Sequence, residues 1–222
     1  MQILIVAATE GEVKPLFSHL GKAVSNQKYY YNGLVVDFLI TGVGMTATAF
    51  ALGKTLSNKN YDLAINVGIA GAFDRNIQLG EVVEVITDCF PEMGAENGKQ
   101  FLTLTELQLQ KANAFPFEEE KVAAEMPESM FVNQRWRKVH GITVNTVHGD
   151  EESIRRIPSI FKPEVESMEG AAFFYACRMM DIPCIQLRAV SNYVEKRNKA
   201  AWKIKEAIHQ LSEETLYFLN EL

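Results

Sequence analysis

Three short apolar segments constrain the fold more than any other feature of the sequence. Residues 2–8, 62–67 and 184–190 are rich in Ile, Val, Leu and Ala. Segments this short and this apolar are typical of strands that are covered on both faces. Segments with helical spacing of apolar residues separate them along the chain. We therefore predict an α/β fold in which helices flank the sheet.

The same patterns predict the other elements and a single domain. Helices are predicted at residues 12–20, 45–56, 151–157, 169–181 and 200–219, with Pro158 ending the third. Further strands are predicted at residues 29–31, 34–41, 81–87, 139–147 and 164–168, the first two joined as a hairpin at Asn32-Gly33. Residues 90–100 are predicted as a loop, 104–112 as a short helix and 115–130 as a surface connection. No repeat or linker divides the chain, so we expect residues 1–222 to form one domain with a mixed sheet.

The composition disfavours several classes of function. The 222-residue chain is 47% hydrophobic and 23% charged, with a formal net charge of −6. Such a chain lacks the basic face that nucleic-acid binding requires, and no apolar stretch approaches the roughly 18 residues that span a bilayer. The first apolar run also lacks the basic residues that lead a secretory signal. The cysteines show no C-x-x-C spacing and the histidines no ligand spacing, so we expect reduced thiols, a cytoplasmic location and no metal.

A glycine turn at residues 42–47 matches the G-x-G-x-x-A fingerprint of dinucleotide-binding folds. Asp62 even follows at about the offset of a ribose-binding carboxylate. In those folds, however, the acidic residue closes the strand after the glycine-turn helix, whereas Asp62 stands at the beginning of the next predicted strand. We therefore expect no nucleotide cofactor, and we interpret Gly42 and Gly44 as residues that permit a tight turn and close packing of the helix.

Polar side chains and glycines gather where the predicted strands end. Glu12, residues 68–71, Glu169 and the pair Ser191-Asn192 each follow a strand. The carboxyl ends of parallel strands border the ligand crevice of an α/β sheet, so these groups would share one pocket. Each group also has a local explanation, because the two glutamates can cap helices and the Ser-Asn pair can belong to a turn.

At these residues the sequence resembles the nucleoside phosphorylase/nucleosidase superfamily, and within it the methylthioadenosine/S-adenosylhomocysteine nucleosidases and the futalosine hydrolases. The most specific part of this resemblance is the motif Met-Glu-Gly/Ala followed by Arg-x-x-Ser-Asp/Asn. The matching segments, in the order of the family, are ILIVAATEGEV, TGVGMTATA, DLAINVGIAGAF, GEVVEV, VHGDEES, VESMEGAAFFYAC and RAVSNYV. The resemblance implies a single α/β domain with a mixed, partly barrel-like sheet flanked by helices, in a homodimer or a higher homo-oligomer.

The resemblance implies roles for three residues near the sugar. Glu12 matches the general base that activates water, Met168 the residue that packs against ribose, and Glu169 the carboxylate that binds the ribose hydroxyls. Cleavage of an N-glycosidic bond passes through a cationic sugar. An ionised Glu12 can therefore take a proton from water while Glu169 stabilises the cation. Among the histidines, only His148 is considered a possible neighbour of this site.

Other matching residues concern the base. Ser191 and Asn192 match the pair at the purine N7, where the adenine-releasing nucleosidases have Ser-Asp. An Asn amide donates to the N7 and O6 acceptors of hypoxanthine, whereas a carboxylate would repel O6. This favours a 6-oxopurine nucleoside, as in the futalosine hydrolases, which release hypoxanthine from a benzoate-bearing nucleoside in menaquinone synthesis. Arg197 could pair with the benzoate or be an ordinary surface residue.

Two more segments match the family to different degrees. The backbone of Ile69, Ala70 and Gly71 matches the floor of the ribose and base site. The GDEES turn matches a loop that contacts the purine, but Glu151 and Glu152 stand where the family has an aromatic residue that stacks on the base. The sequence therefore does not identify which residues of this loop would contact the base.

Water is the expected nucleophile rather than phosphate. The phosphorylases of this superfamily use basic and hydroxyl groups to hold phosphate, where this sequence has Glu10, Glu12 and Ile69. We therefore predict a purine nucleoside N-glycosyl hydrolase of the futalosine hydrolase type that uses no cofactor. An adenine-releasing nucleosidase, a purine nucleoside phosphorylase and a non-catalytic nucleoside-binding protein remain open as alternatives.

Overall fold

Strands and helices alternate along most of the chain. The computed structural model describes residues 1–25, 27–127 and 135–222. In the described residues the elements follow the order β1 (Gln2–Ala7), α1 (Glu10–Leu20), β2 (Lys28–Tyr31), β3 (Leu34–Ile40), α2 (Met45–Leu56), β4 (Leu63–Ala72), β5 (Val82–Asp88), β6 (Gly94–Asn97), β7 (Gln100–Thr103), β8 (Val122–Ala123), β9 (Arg137–Thr143), α3 (Glu151–Phe161), β10 (Val165–Ser167), α4 (Gly170–Met179), β11 (Cys184–Tyr193) and α5 (Ile204–Glu221).

Five of these strands close into a barrel. Around the ring, β4 pairs in parallel with β11, β11 antiparallel with β5, and β5 in parallel with β9. The strand β10 pairs in parallel with β9 and antiparallel with the end of β4, where Val165 faces Ala72 and Glu166 faces Gly71. The great length of β4 allows this closure, since its first half pairs with β1 and its second half reaches β10. The mixed, partly barrel-like sheet of the prediction is confirmed.

The barrel continues into a sheet through β1. This strand lies parallel to both β4 and β3, and β2 completes the edge as an antiparallel partner of β3. The predicted hairpin is confirmed, with Asn32 and Gly33 at φ of 46° and 83°. Positive φ at both central residues is the requirement of the tight hairpin turn that Asn-Gly favours. Asp62 accepts a hydrogen bond from the backbone N–H of Gln2 at the amino-terminal edge of this sheet. It is therefore at the edge opposite to a ribose-binding carboxylate, as the sequence analysis expected.

Helices cover the sheet on two sides, and each side has its own apolar core. One core joins α1 and α5 to the strands through Leu16, Leu20, Leu211 and Phe218. The other core joins α2 and α4 to the opposite side, with Phe173 and its neighbours fully buried. Residues of β1 and β4 alternate between the two cores because successive side chains of a strand point to opposite faces. Among the described residues, no helix combines the length and the apolarity needed to cross a membrane.

Several predicted boundaries are wrong. Residues 94–103 form the β6–β7 hairpin instead of a loop, and residues 104–112 form turns instead of a helix. The helix α3 continues past Pro158 to Phe161. A proline deprives a helix of one backbone hydrogen bond, and in the last turn of a surface helix this loss does not end it. The end of the predicted connection, residues 128–130, lies outside the described residues.

Three strand and helix ends also differ from the prediction. The strand β4 extends through the GIAGA segment to Ala72, β9 ends at Thr143, and α5 begins at Ile204 after a 3-10 turn at Lys199–Ala201. The prediction grouped the end of β10 with those of the parallel strands, and the structure shows that β10 runs parallel to β9 but antiparallel to β4. Tertiary pairing that closes the barrel decides this direction, and no local pattern encodes it.

A chain of buried polar side chains connects four barrel strands. Asp88 accepts hydrogen bonds from Thr143 Oγ1 at 3.0 Å and Gln186 Nε2 at 3.2 Å. Gln186 Oε1 accepts from Arg188 Nε at 2.9 Å, and Arg188 also donates to Asn66. Burial raises the pKa of Asp88 to about 7, against the opposing effects of its hydrogen bonds and of Arg188. The charge of Arg188 is therefore only partly balanced by Asp88.

The first residue of α4 packs directly against this polar chain. A Cβ on Gly170 would overlap both Asp88 Oδ2 and Gln186 Oε1. We expect Gly170→Ala to lower the free energy of unfolding by about 1–3 kcal/mol, because both buried groups must shift from their hydrogen bonds. Urea denaturation followed by circular dichroism measures this change.

The matched control is Gly53→Ala in α2, where a Cβ meets no atom within 4 Å. This exposed helical position should gain about 0.5–1 kcal/mol, because alanine is the better helix former. Equal stability of Gly170→Ala and the wild type would contradict the close approach of α4 to Asp88.

Candidate active site

A cavity of about 430 Å³ opens where β1, β3, β4 and β11 end. This volume is in the range of sites for small organic ligands. The structure brings together in its wall all nine residues that the sequence analysis selected, namely Glu12, Ile69, Ala70, Gly71, Met168, Glu169, Ser191, Asn192 and Arg197. Val43 of the glycine turn and His148 also line it.

The second half of β4 gives this cavity two distinct ends. On β11, Arg188 lies beside Gly68 and Asn192 lies beside Gly71. The antiparallel strand β10 places Glu166 beside Gly71, and the chain then runs back along β4 towards Glu169. We name these the Gly68 end and the Gly71 end. The two carboxylates Glu12 and Glu169 belong to the first, and the amide of Asn192 to the second.

Glu12 lies in the first turn of α1 and faces the Gly68 end. Its Oε2 accepts hydrogen bonds from the backbone N–H and the hydroxyl of Thr9, at 2.9 and 3.0 Å, and its Oε1 accepts from the Ile69 N–H at 3.3 Å. Glu12 therefore both caps the helix α1 and lines the cavity. These donors and the positive end of the helix stabilise a negative charge on Glu12.

Glu169 stands at the beginning of α4 and is almost fully buried. Its Oε1 accepts a hydrogen bond of 3.0 Å from the Gly44 N–H. Gly44 has a φ of 98°, a conformation that favours glycine, and it directs this N–H away from its own helix. In a dinucleotide fold the corresponding turn approaches a pyrophosphate. Here the turn holds a carboxylate of the same chain.

Arg188 is the arginine of the Arg-x-x-Ser motif, to which the sequence analysis gave no role in the site. Its side chain is 1% exposed, and its Nη1 lies 3.9 Å from Glu169 Oε2. A Cβ on Gly68 would overlap this guanidinium and would lie 3.0 Å from Glu12 Oε1, so only glycine leaves space for it beside Glu12. A signal existed in the sequence, because an arginine in a strand predicted to be buried requires buried partners.

The Gly71 end is built from uncharged polar groups and one carboxylate. A bulge in β11 between Val190 and Asn192 turns Ser191 and Asn192 towards the cavity. Ser191 Oγ donates to Asn192 Oδ1 at 2.8 Å, and Asn192 Nδ2 donates to the Tyr193 carbonyl at 3.0 Å. The serine therefore fixes the amide with its NH₂ group on the side of Gly71, from whose Cβ position Nδ2 is 3.3 Å away.

Glu166 is a second residue that the sequence analysis did not select. It is 3% exposed and lines the cavity opposite Asn192, across Gly71. Its two oxygens accept from His148, with Oε1 3.1 Å from the backbone nitrogen and Oε2 2.6 Å from Nδ1. His148 thus belongs to the site, as the sequence analysis considered possible. Alternation of buried and exposed residues could not have identified Glu166, since Val165, Glu166 and Ser167 of β10 are all buried.

The mouth of the cavity is apolar with one cation. The guanidinium of the exposed Arg197 lies 5.1 Å above the ring of Trp202, which neighbours Ile204 and Ile208 in the wall. These apolar residues follow the strand end by about ten positions, so a search for polar residues at strand ends misses them. Glu152 stays in the exposed first turn of α3, outside the wall.

Comparisons with known proteins agree with this geometry. Residues 2–222 match the family model described as the phosphorylase superfamily. A futalosine hydrolase of Thermus thermophilus is 29% identical over 178 residues, covering 79% of this chain and 77% of that protein. A futalosine hydrolase of Streptomyces coelicolor is 31% identical over 186 residues, covering 80% of this chain and 75% of that protein.

A solved structure has the same fold. It is the methylthioadenosine/S-adenosylhomocysteine nucleosidase of Colwellia psychrerythraea 34H in complex with adenine, with a TM-score of 0.82 at 21% identity over 100% of this chain and 96% of that chain. The family model that spans residues 2–222 and the relative with 31% identity lead to one conclusion. The chain belongs to the phosphorylase superfamily.

Proposed function

We propose that this protein hydrolyses the N-glycosidic bond of a 6-oxopurine nucleoside, with futalosine as the substrate and hypoxanthine and dehypoxanthine futalosine as the products. The observation that carries the proposal is that Glu12, Glu169 and Asn192 face one cavity, with the carboxylates at one end and the amide at the other. The relatives that are named futalosine hydrolase support this substrate. With it we propose the role in menaquinone synthesis that the resemblance implies.

Hydrolysis at the Gly68 end needs a base and a negative environment. Glu12 takes a proton from a water molecule, whose oxygen bonds to C1′ as the bond from C1′ to N9 breaks. The bonding electrons leave with the purine, and the sugar is cationic at the transition state. Glu169 accepts hydrogen bonds from ribose hydroxyls and stabilises this cation, while Met168 packs against the sugar.

The charge of the cavity favours water over phosphate. Glu12, Glu166 and Glu169 line the wall, as does Glu195, which is paired with Arg75 at 2.6 Å, whereas Arg197 is exposed at the mouth. Arg188 is held by Asn66 and Gln186 below Gly68 and is not part of the wall. A phosphate dianion beside several carboxylates would be repelled, and a neutral water molecule would not.

The Gly71 end favours a 6-oxopurine as the leaving group. Because Asn192 Oδ1 accepts from Ser191, its NH₂ group is the part available to the base. One hydrogen of that group donates to the Tyr193 carbonyl, and the other is available to N7 and O6, where negative charge develops as the bond breaks. Adenine carries an amino group at position 6, which would face this donor without a hydrogen bond.

The mouth suits a substituent that is apolar and anionic. Trp202, Ile204 and Ile208 provide an apolar surface, and Arg197 provides a cation at its edge. A benzoate fits both features, since its ring can pack and its carboxylate can pair with the guanidinium. The apolar surface alone would also accept a methylthio group, and this observation favours the adenine-releasing nucleosidase as the second candidate.

The proposal extends to assembly and location. We propose that residues 1–222 act as one domain in a cytoplasmic homodimer or higher homo-oligomer. The pairing of β4 with strands from both ends of the chain supports a single domain. The three cysteines are free and buried, which agrees with a reducing compartment.

Futalosine should lose hypoxanthine in phosphate-free buffer. We expect the rate to be unchanged when phosphate is added, because the cavity disfavours a phosphate dianion. Liquid chromatography of the products over time measures the release of the base, with methylthioadenosine and inosine as comparison substrates. A strict need for phosphate would identify a phosphorylase, and release of adenine alone would identify the second candidate. Binding without turnover would identify a nucleoside-binding protein.

Glu12→Gln should lower kcat for futalosine by about 10²–10⁴-fold with little change in KM, because the variant keeps the shape of the side chain but loses the base. Steady-state kinetics measure both constants. Glu10→Gln is the matched control, since Glu10 lies in the same helical turn but is exposed and outside the cavity wall. Equal activity of Glu12→Gln and Glu10→Gln would refute the proposed base.

Asn192→Asp should shift the preference from hypoxanthine towards adenine as the released base. The new carboxylate repels O6 and accepts from a 6-amino group, so the ratio of kcat/KM for inosine over adenosine should fall by about tenfold or more. Asn198→Asp is a suitable control, because Asn198 is exposed and outside the cavity wall. An unchanged ratio in Asn192→Asp would show that this amide does not recognise position 6.

A further inference from the structure

We propose that His148 is a specificity-determining residue that recognises N1–H of a 6-oxopurine through Nε2, and that Glu166 is the positioning residue that makes this nitrogen an acceptor. The inference rests on the proposed function, and it assigns a part of the base that Asn192 does not reach. It follows from the two hydrogen bonds between Glu166 and His148 at the Gly71 end.

The first step is the position of the proton on His148. Nδ1 is 2.6 Å from Glu166 Oε2, and an ionised carboxylate can only accept a hydrogen bond. Nδ1 therefore carries the hydrogen, and in the neutral ring Nε2 is left with a lone pair. The backbone N–H of His148 binds the other oxygen of Glu166 at 3.1 Å, so the carboxylate cannot turn away without losing a second bond.

The second step is the place of this pair in the cavity. Glu166 on β10 and Asn192 on β11 flank Gly71 from opposite sides. The Cβ position of Gly71 is 3.1 Å from Val194 Cγ2, 3.3 Å from Asn192 Nδ2 and 3.5 Å from Glu166 Cγ, so the absence of a side chain at Gly71 is what lets Asn192 and Glu166 come this close to each other. His148 and Glu166 both line the cavity, and the His148 side chain is only 11% exposed.

The third step is the chemistry of the base. Along one edge a 6-oxopurine presents acceptors at N7 and O6 and then a donor at N1–H. The Asn192 NH₂ group, whose other hydrogen is bonded to the Tyr193 carbonyl, offers one hydrogen to these two acceptors, and the N1–H donor requires an acceptor of its own. Adenine has no hydrogen on N1 and presents a lone pair there, which Nε2 of this tautomer would repel. The two residues together thus distinguish hypoxanthine from adenine at successive atoms of one edge.

Glu166→Gln tests the tautomer directly. The backbone N–H of His148 can only donate, so it retains the oxygen of the new side-chain amide and directs the NH₂ group of that amide to Nδ1. Nδ1 must then accept, and the hydrogen moves to Nε2, which becomes a donor. We expect the affinity for hypoxanthine to fall about tenfold or more and the affinity for adenine to rise, because the His148 nitrogen that faces N1 of the base has changed from an acceptor to a donor.

Calorimetric titration of the protein with hypoxanthine and with adenine measures both changes without any turnover. Glu164→Gln is the matched control. Glu164 accepts the backbone N–H of His140 at 2.7 Å, is two residues away from Glu166 and lies outside the cavity wall. The control should retain the preference of the wild type. The variant His148→Gln, which keeps an acceptor oxygen, should retain more of the hypoxanthine affinity than His148→Phe, which has none.

The outcomes separate this inference from the proposed function. Hydrolysis of futalosine by the wild type, combined with an unchanged hypoxanthine-to-adenine preference in Glu166→Gln, would overturn the role of His148 and leave the proposed function intact. An equal loss of both affinities would also overturn it, because a merely structural role predicts that result. A wild type that binds neither base would overturn the role of His148, and the hydrolysis of futalosine would then decide the proposed function by itself. A reversed preference supports the inference even if the substrate proves to be another 6-oxopurine nucleoside.

Discussion

The burial of one positive charge organises the site. Arg188 is held in the barrel by Gln186 and Asn66, and its remaining nitrogen lies 3.9 Å from Glu169. A guanidinium removed from water is unstable unless its hydrogens are bonded and its charge is balanced. Burial raises the pKa of Asp88, so that carboxyl does not balance it fully. The site carboxylates therefore stabilise Arg188, and Arg188 in turn makes it possible to bury Glu169 beside Glu12.

The GIAGA segment of β4 contacts both the buried Arg188 and the part of the cavity that we assign to the base. Gly68 leaves the space that the guanidinium occupies, and Gly71 leaves the space into which Val194, Asn192 and Glu166 pack. Ile69 and Ala70 between them stay paired with β11 before its bulge, so the separation between the two ends is fixed by strand geometry. A side chain at Gly68 would displace Arg188, and one at Gly71 would displace the polar side chains that flank it.

Local patterns in the sequence predicted most of the elements, and strand-end reasoning together with the family resemblance predicted nine residues that line one cavity. Asn32-Gly33 encodes its turn locally, and the carboxyl ends of parallel strands meet wherever such a sheet forms. Glu166 was missed because its position in the cavity depends on the antiparallel pairing of β10 with β4, which joins residues far apart in sequence. The β6–β7 hairpin was missed because its Gly and Asn residues resemble those of a loop. Arg188 could have been found, since a charge in a buried strand always requires partners.

The separation of charged and neutral groups along β4 has a chemical consequence. At the Gly68 end, Glu12 and Glu169 provide the negative field that a cationic sugar requires, and the same field opposes a phosphate nucleophile. At the Gly71 end the groups available to the base are the Asn192 amide and the His148 ring, because both Glu166 oxygens are bonded to His148. A carboxylate facing O6 would work against the leaving group as it gains negative charge. Holding Glu166 behind His148 keeps its charge away from the departing purine while its hydrogen bonds still orient the ring that recognises it.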